Sequence, residues 1–394
     1  MKRATTSMPG LAAGQAAKAG LVKSRLFAPA LSRRAFNAGL MASGAALGYG
    51  ASTGRASAQT SVNYMGWQGY DTGIDTDGFY ERNGIDLQTT YMAGNEEIIA
   101  AIQGGGRGIM DVVTPVASYI PFYAGLGALE PLDLAQIPNF DKLFPLFREM
   151  ETIRHNGEVY AVPFIWGSVP LMFNADVVTE RPTSWFDMTK EEYSGRVALS
   201  TDVVSIMTPF LMAVNDIPSP HLVTREQLEA TTEFLIDLKR NHLRTITGSY
   251  GELASLLASG DVVMCPGWEP ISVWAGEDAP PIDWVIPKEG TLTFVDVWSI
   301  VADSPNLELS HKILNQALDP VAQANTAEEN LTAVTVADAV ELLSDQPREI
   351  YPYDDIEGYF DSAGGLFPFW PIDPVDDYMT YDDILEAWER FLMA

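Results

Sequence analysis

The chain has 394 residues and is strongly acidic, with 53 Asp and Glu residues against 24 Lys and Arg residues. Such a charge repels nucleic-acid phosphates and anionic lipid surfaces, so binding to either is a poor hypothesis, whereas a cationic ligand is permitted. The acidic residues would serve equally well simply to keep the protein surface solvated, without any role in ligand binding. Cys265 is the only cysteine and the four histidines are scattered, so we expect no intramolecular disulfide, no metal site and no cofactor.

Residues 1–58 have the composition of an export signal, since they contain basic residues and no acidic ones. Arg33 and Arg34 form a twin-arginine pattern directly before a weakly apolar stretch, and residues 56–58 (Ala-Ser-Ala) form a small-residue cleavage site. Glycines and serines make the stretch too polar for a membrane span. We therefore expect export by the twin-arginine machinery, cleavage near Ala58 and a periplasmic protein. A basic tail or a membrane anchor is the alternative.

The sequence after residue 58 begins with alternating strand-like and helix-like segments. Residues 62–66, 85–91 and 110–114 have strand patterns, and residues 96–103 form a predicted helix. The glycine-rich run at 104–108 lacks the Lys and Ser/Thr of a phosphate-binding loop and follows a helix, so we interpret it as a helix stop.

The same rhythm continues to the end of the chain. Further strands are predicted at 159–165, 171–174, 197–200, 262–264, 284–286 and 292–301. A helix is predicted around 206–214, Thr224 and Gln227 have the spacing of a capping box for a helix that ends near Asn241, and an amphipathic helix closes the chain at 381–392. Alternating strands and helices predict an α/β fold with parallel, doubly wound sheets, which bind ligands at the carboxyl ends of their strands.

Aromatic residues occur where predicted strands end. Trp67 and Tyr70 follow the first strand with Gln68 between them, and Trp268 follows the strand at 262–264. We expect these rings to face the crevice for the ligand, although each ring could instead fill the core.

Alternation in the strand at 292–301 places Phe294, Asp296 and Trp298 on one face. A carboxylate buried between rings costs several kcal/mol unless a cation or hydrogen-bond donors satisfy it, so an amine ligand is an economical explanation. The alternatives are a solvent-facing Asp296 or a pairing with a structural arginine.

Asp202 comes between a predicted strand and a predicted helix. An acid in this position commonly caps the helix by accepting from backbone N–H groups, and here a capping role and a ligand contact are equally plausible. An aromatic box with one or two carboxylates would bind an ammonium group by cation–π contacts and charged hydrogen bonds.

These residues together resemble the spermidine/putrescine-binding proteins of ABC importers over most of the chain after residue 58. The resemblance includes Trp67 and Tyr70, residues 111–115 (DVVTP), 160–167 (YAVPFIWG), 183–185 (TSW) and 287–290 (PKEG).

The resemblance implies a two-lobed periplasmic-binding-protein fold that closes over its ligand by a hinge motion. Lobe 1 would comprise residues 59–165 plus about 297–335, and lobe 2 would comprise residues 166–296 plus about 336–394. The crossings between the lobes would lie near Trp166 and Phe294.

By the same resemblance, the principal ligand-binding candidates are Trp67, Tyr70, Asp202, Trp268, Phe294 and Asp296. Three positions depart from the family, since Ser205 replaces a second acid, Phe294 a tryptophan and Ser118 a tyrosine. The pocket should therefore be less acidic and roomier than in a typical spermidine binder. Weaker candidates are Gln68, Ser118, Ser205 and Trp298.

The leading interpretation is an exported, monomeric substrate-binding protein that captures a polyamine or a related small amine and delivers it to an ABC permease in the inner membrane. No nucleophile or metal motif supports an enzyme, although a secreted enzyme of unknown chemistry stays an alternative. Another solute class, such as an aminophosphonate or an opine-like compound, would predict Arg154 or Arg244 in the cleft. A ligand-sensing partner of a membrane receptor would share every residue above.

Overall fold

The computed structural model describes residues 59–92, 94–276 and 279–394. The predicted export signal at residues 1–58, with its twin-arginine pattern and cleavage site, lies outside the described residues. None of the helices in the described ranges combines the length and the apolar composition that a membrane span requires.

The described residues form strands, α-helices and short 3₁₀ or π turns. The strands are β1 (Thr60–Gly66), β2 (Ile85–Tyr91), β3 (Val112–Val113), β4 (Arg154–His155), β5 (Glu158–Val159), β6 (Ala161–Ser168), β7 (Leu171–Asn174), β8 (Val197–Ser200), β9 (Leu243–Thr247), β10 (Met264–Pro266), β11 (Ile282–Val285), β12 (Thr293–Ile300) and β13 (Ala333–Val334). The α-helices are Tyr70–Gly73, Phe79–Arg82, Glu96–Ala101, Ile120–Gly125, Pro145–Arg148, Val203–Asn215, Arg225–Asn241, Tyr250–Ser259, Ile271–Trp274, Leu307–Ala317, Pro320–Asn330, Asp345–Ile350, Ile356–Ala363 and Tyr381–Met393. The short turns are Ile102–Gly106, Ala117–Tyr119, Leu134–Gln136, Pro138–Lys142, Glu151–Ile153, Trp185–Thr189, Glu191–Tyr193 and Ala337–Leu342.

Two sheets organise the fold. One has six strands in the order β13-β6-β12-β3-β1-β2, and the other has five in the order β11-β7-β10-β8-β9. β1 runs parallel to β2 and β3, and β8 runs parallel to β9 and β10, as the β/α rhythm predicts. Both sheets are nevertheless mixed, because β6, β7, β11 and β12 enter them antiparallel to a neighbour.

Each sheet has its own apolar core, so the protein is a two-lobed α/β fold. Trp166 and Trp298 are fully buried in the first core, and Trp185 and Phe210 are fully buried in the second. This arrangement confirms the predicted fold class.

The chain passes between the sheets at three places. β6 of the first sheet ends at Ser168 and β7 of the second begins at Leu171, and a return follows between β11 and β12. The segment after β13 packs Phe360 into the first core and then Trp370 into the second. We therefore propose that the last passage lies between 363 and 370 and not near 336, while the other predicted lobe boundaries stay predictions.

Local sequence signals explain several helix ends. The Thr224 hydroxyl accepts from the backbone N–H of Gln227, and the Gln227 side chain accepts from Thr224 N–H, which confirms the predicted capping box. The predicted glycine stop is located at Gly105, whose φ of 109° interrupts the helical turn that follows Ala101.

Gly290 lies where two chain segments touch. Its φ is +88°, and a Cβ atom there would lie 2.6 Å from the carbonyl oxygen of Ala363 and 2.7 Å from Cε of Met212. Its own carbonyl accepts a hydrogen bond of 2.8 Å from the Trp185 indole N–H. This contact excludes any residue with a side chain unless the backbone moves.

We expect Gly290→Ala to lower the free energy of unfolding by more than about 2 kcal/mol, since left-handed strain and a backbone collision add. Gly260→Ala is the matched control, because Gly260 also has a positive φ of +75° but no described atom lies within 4 Å of its Cβ position. That control should lose only about 1 kcal/mol in urea unfolding. Equal losses would show that the contact with Ala363 is unimportant.

Candidate functional site

A cavity of about 970 Å³ lies where strands of both sheets end. Its lining includes residues that directly follow β1, β8 and β10, and it includes the first half of β12. Strand ends of α/β sheets leave a crevice for ligands, and the volume is at the upper end of the range for small-molecule sites.

Nine of the ten residues that the sequence suggested line this cavity. They are Trp67, Gln68, Tyr70, Ser118, Asp202, Ser205, Trp268, Phe294 and Asp296. The structure thus brings them together, and their contact with a ligand stays a prediction.

Trp298 is the exception. Its side chain is fully buried in the first core, with its ring stacked on Tyr64 at 4.9 Å between centroids and edge-on to Phe164 at 5.9 Å. The expectation that Trp298 belongs to the pocket is therefore wrong, because neighbouring rings cover the strand at this position and leave only the beginning of β12 along the cavity.

Asp296 is buried at the edge of the cavity. Its Oδ2 atom accepts a 2.5 Å hydrogen bond from the Tyr70 hydroxyl, while its Oδ1 atom has no hydrogen-bond partner among the described residues. No Lys or Arg of the described part forms an ion pair with it. Neither alternative from the sequence, a solvent-facing Asp296 or an arginine partner, matches this environment.

Burial has a large effect on the charge of Asp296. Removal from water raises the pKa of this carboxyl to about 7, although the hydrogen bond from Tyr70 acts in the opposite direction. Burial and the nearby Asp296 also raise the pKa of Tyr70, so its hydroxyl stays a neutral donor. Asp296 and Tyr70 thus form a buried pair in which the carboxyl group has a raised pKa and the hydroxyl group donates to it.

Aromatic rings form a wall of the cavity. The ring of Trp268 lies 6.0 Å from that of Phe294 and 5.6 Å from that of Trp274, both centroid to centroid. Gly167 on β6 permits this approach, since a Cβ atom there would lie 2.8 Å from Cζ of Phe294 and 3.1 Å from Nε1 of Trp268. Such rings can stack on the alkyl part of a ligand and contact a cation.

Glu269, the residue after Trp268, is buried and bonds to residues that do not line the cavity. Its Oε1 atom accepts hydrogen bonds from the backbone N–H of Ser168 at 2.9 Å, from the Ser168 hydroxyl at 2.7 Å and from the Tyr359 hydroxyl at 2.8 Å. Burial raises the pKa of Glu269 to about 7. This contact joins the end of β6 to the residue after Trp268, so it holds the indole in place at a passage between the sheets.

Asp202 is the N-cap of the helix Val203–Asn215, which confirms the capping alternative. Its Oδ1 atom accepts from the backbone N–H groups of Val204 at 3.0 Å and Ser205 at 3.3 Å. The same side chain lines the cavity, so capping and exposure to a ligand coexist.

Sequence reasoning missed several lining residues, namely Tyr250, Trp274, Glu329 and Asn330. Tyr250 begins a helix shortly after β9, so the rule that selected Trp67 and Trp268, an aromatic residue after a strand end, would have found it. Glu329 and Asn330 end a helix, and no sequence pattern identifies them.

The lining contains three acids, Asp202, Asp296 and Glu329, and no Lys, Arg or His among the described residues. Arg154 donates to the carbonyl of Arg148, and Arg244 pairs with Asp261, so neither basic residue that an anionic ligand would need lies in the cavity. Within the described part, no group of three or more His, Cys, Asp or Glu side chains is arranged to hold a metal ion. The cavity is therefore suited to a cation.

Comparisons with known proteins agree with this geometry. A family model described as bacterial extracellular solute-binding protein matches residues 76–348. The spermidine/putrescine-binding periplasmic protein of Escherichia coli K12 is 27% identical over 291 residues, which cover 73% of this chain and 81% of that protein. The putrescine-binding periplasmic protein PotF of the same strain is 24% identical and covers 76% of this chain and 85% of its own length.

Solved structures show the same fold. The spermidine/putrescine ABC transporter substrate-binding protein PotD from Streptococcus pneumoniae aligns with a TM-score of 0.68 and 21% identity over 85% of this chain and 99% of that one. The periplasmic-binding protein MotA from A. tumefaciens B6, solved with glucopine, aligns with a TM-score of 0.63 and 16% identity over 84% of this chain and 99% of that one.

The raised pKa of Asp296 predicts a pH dependence of stability. The folded carboxyl, with a pKa of about 7, binds its proton more tightly than the unfolded one, whose ordinary pKa is 3.8. The unfolding free energy should therefore fall as the pH rises from about 4 to about 7. Relative to Asp296→Asn, which cannot ionise, the protein should lose up to about 4 kcal/mol over this range.

The measurement is urea unfolding of both proteins at a series of pH values without ligand. Tyr70→Phe removes the donor that lowers the pKa of Asp296, so it should move the transition to higher pH. A constant difference between the protein and Asp296→Asn across this range would contradict the burial of an ionisable Asp296.

Proposed function

Because this chain belongs to the family of bacterial extracellular solute-binding proteins, we propose that it is the substrate-binding protein of an ABC importer and that it binds a small amine in the cavity. The observation that carries the proposal is Asp296, a buried carboxyl with one unpartnered oxygen in an aromatic-walled cavity that lacks a basic residue in its described lining. A ligand ammonium group supplies both the missing donor and the missing charge.

The expected contacts are sufficient for useful affinity. A desolvated cation–π contact with an indole contributes about 2 kcal/mol, and a hydrogen bond to a charged group contributes about 1.5–3 kcal/mol. A few such contacts approach the roughly 8 kcal/mol of micromolar binding. An ammonium group next to Asp296 also favours the ionised carboxylate, so binding below pH 7 releases a proton from the site.

Polyamines and related small amines are the first ligand class to consider. The relatives named above include proteins that bind spermidine or putrescine, and the acidic lining fits the same charge. A zwitterionic solute such as an opine is the alternative, and the placement of Arg154 and Arg244 outside the cavity argues against it.

The proposal includes the cellular context and the mode of action. The chain would be exported through the twin-arginine route predicted from residues 1–58, act as a periplasmic monomer and deliver its ligand to a permease in the inner membrane. It would bind without catalysis. Closure would occur by a hinge motion at the passages near 168–171, 285–293 and 363–370, which bring strands of both sheets to the cavity.

Asp296→Asn tests the charge partner. Isothermal titration with putrescine, spermidine and agmatine should give binding tighter than millimolar for at least one amine, and the variant should weaken it by at least about 2 kcal/mol, roughly thirtyfold in Kd, because a desolvated pair loses one charge. Asp141→Asn, an exposed acid outside the cavity, is the matched control and should bind as the parent does.

The proposal fails if no amine binds more tightly than millimolar while a solute of another class does. Unchanged affinity of a folded Asp296→Asn protein would also count against this site. Thermal unfolding of each variant establishes that the fold is intact.

A further inference from the structure

Asp202 and Asp296, two of the three carboxylates that line the cavity, differ in how many hydrogen bonds they already accept. Asp202 accepts from the backbone N–H groups of Val204 and Ser205 on Oδ1 and from the Ser205 hydroxyl at 2.6 Å on Oδ2. The Tyr250 hydroxyl lies 3.5 Å from the same Oδ2 atom and 3.2 Å from Oγ of Ser205. Three donors thus occupy three of the about four acceptor positions of the Asp202 carboxylate, and the residue is also exposed to solvent.

The charge of Asp202 is also compensated by its position. As the N-cap of the helix Val203–Asn215, it faces the positive end of the helix dipole. Burial and the neighbouring Asp202 raise the pKa of Tyr250, so the tyrosine stays a neutral donor to this cluster. Asp202 thus needs no cation from a ligand.

Asp296 is in the opposite state. It accepts one hydrogen bond, from Tyr70, and its Oδ1 atom has no partner in the described part of the chain. No backbone N–H of a helix end and no basic side chain compensates it there. The cavity therefore offers one buried carboxylate for one cation.

The third acid, Glu329, lies at the exposed end of the helix Pro320–Asn330. Its carboxylate is 3.5 Å from donors on Thr72 and Asn325. An ion pair in such a position contributes about 0–1 kcal/mol because water screens it. Glu329 does not create a second strong cation site.

The rest of the lining is uncharged. It supplies the hydroxyl and amide groups of Asn95, Ser118, Ser200, Thr201 and Asn330 and the apolar side chains of Leu292, Leu366 and Phe367. A fully protonated diamine carries donors only, so it offers no acceptor to the N–H and O–H donors of these side chains, whereas a carbonyl or hydroxyl oxygen does.

We infer that the cavity selects an amine with a single positive charge and an uncharged, oxygen-bearing far end, such as a monoacylated diamine, over a dication. The inference rests on the proposed function, since it specifies the ligand of the same site. A second ammonium group would meet only exposed carboxylates, Asp202 with three hydrogen bonds already accepted and Glu329, so water screens the contact and little free energy is gained.

The direct test compares putrescine with N-acetylputrescine by isothermal titration of the protein. The two ligands share a four-carbon chain, but the second has one charge fewer and an amide oxygen. We expect N-acetylputrescine to bind at least about tenfold more tightly, since a lost or uncompensated desolvated contact is worth more than about 1.4 kcal/mol. Butylamine, which has the single charge without the oxygen, should have an affinity between those of putrescine and N-acetylputrescine.

The outcomes separate the inference from the proposed function. If putrescine binds as tightly as N-acetylputrescine or more tightly, the inference is wrong and the amine-binding function stands. If neither these three amines nor spermidine or agmatine binds more tightly than millimolar while a solute of another class does, the proposed function fails and the inference fails with it.

A variant tests the role of Asp202 by removing its side-chain donors. Ser205→Ala with Tyr250→Phe should free acceptor positions on Asp202 and raise the affinity for putrescine about tenfold, while N-acetylputrescine changes less than about twofold. Ser255→Ala removes an exposed hydroxyl outside the cavity and is the matched control, in which the ratio of the two dissociation constants should stay that of the parent.

An equal change for both ligands in the double variant would overturn the assignment, because a general effect on the cavity does not distinguish a monocation from a dication. Tyr250→Phe alone carries the same test with a smaller expected change in the ratio if the double variant does not fold. Thermal unfolding checks the fold of each variant.

Discussion

A carboxyl group buried beside aromatic rings is the constraint on which this binding site depends. Asp296 stands on β12 within the first sheet and receives its one hydrogen bond from Tyr70, which begins the helix after β1. Removing a carboxylate from water costs several kcal/mol, and a single neutral donor does not compensate that cost. The free protein therefore holds Asp296 with a raised pKa, and under the proposed function a ligand cation supplies the compensating charge.

The surrounding fold keeps this unfavourable group in place. Gly167 lets the rings of Trp268 and Phe294 approach β6. The buried Glu269, which directly follows Trp268, accepts hydrogen bonds from Ser168 and Tyr359. These contacts lie where the chain passes between the sheets, so the wall of the cavity and the passage share their residues. A movement of one sheet relative to the other would therefore shift the aromatic rings that form the wall of the cavity.

The proposed preference for a monocation follows from the different numbers of hydrogen bonds that two carboxylates of the cavity accept from the protein. Asp202 and Asp296 both line the cavity. Asp202 is a helix cap whose oxygens accept from the helix that it caps, whereas Asp296 keeps one oxygen without a partner among the described residues. Counting acidic residues in the lining would predict a dication, whereas counting open acceptor positions favours a monocation. Donors of the protein itself, such as the backbone N–H of Val204, can therefore set how many charges a site accepts.

The sequence by itself determined most strands of the two sheets and the capping box at Thr224, because these features depend on local backbone preference and periodicity. It also indicated that rings and acids after strand ends gather at one crevice. It did not determine that Trp298 lies in the core, since period-2 alternation gives the face of a strand but not how much of that face neighbouring rings cover. The antiparallel pairing of β12, the cavity residues Trp274 and Glu329 and the approach of the Tyr250 hydroxyl to Asp202 and Ser205 likewise required the folded chain. These depend on contacts between segments far apart in sequence, and only tertiary structure decides which of them meet.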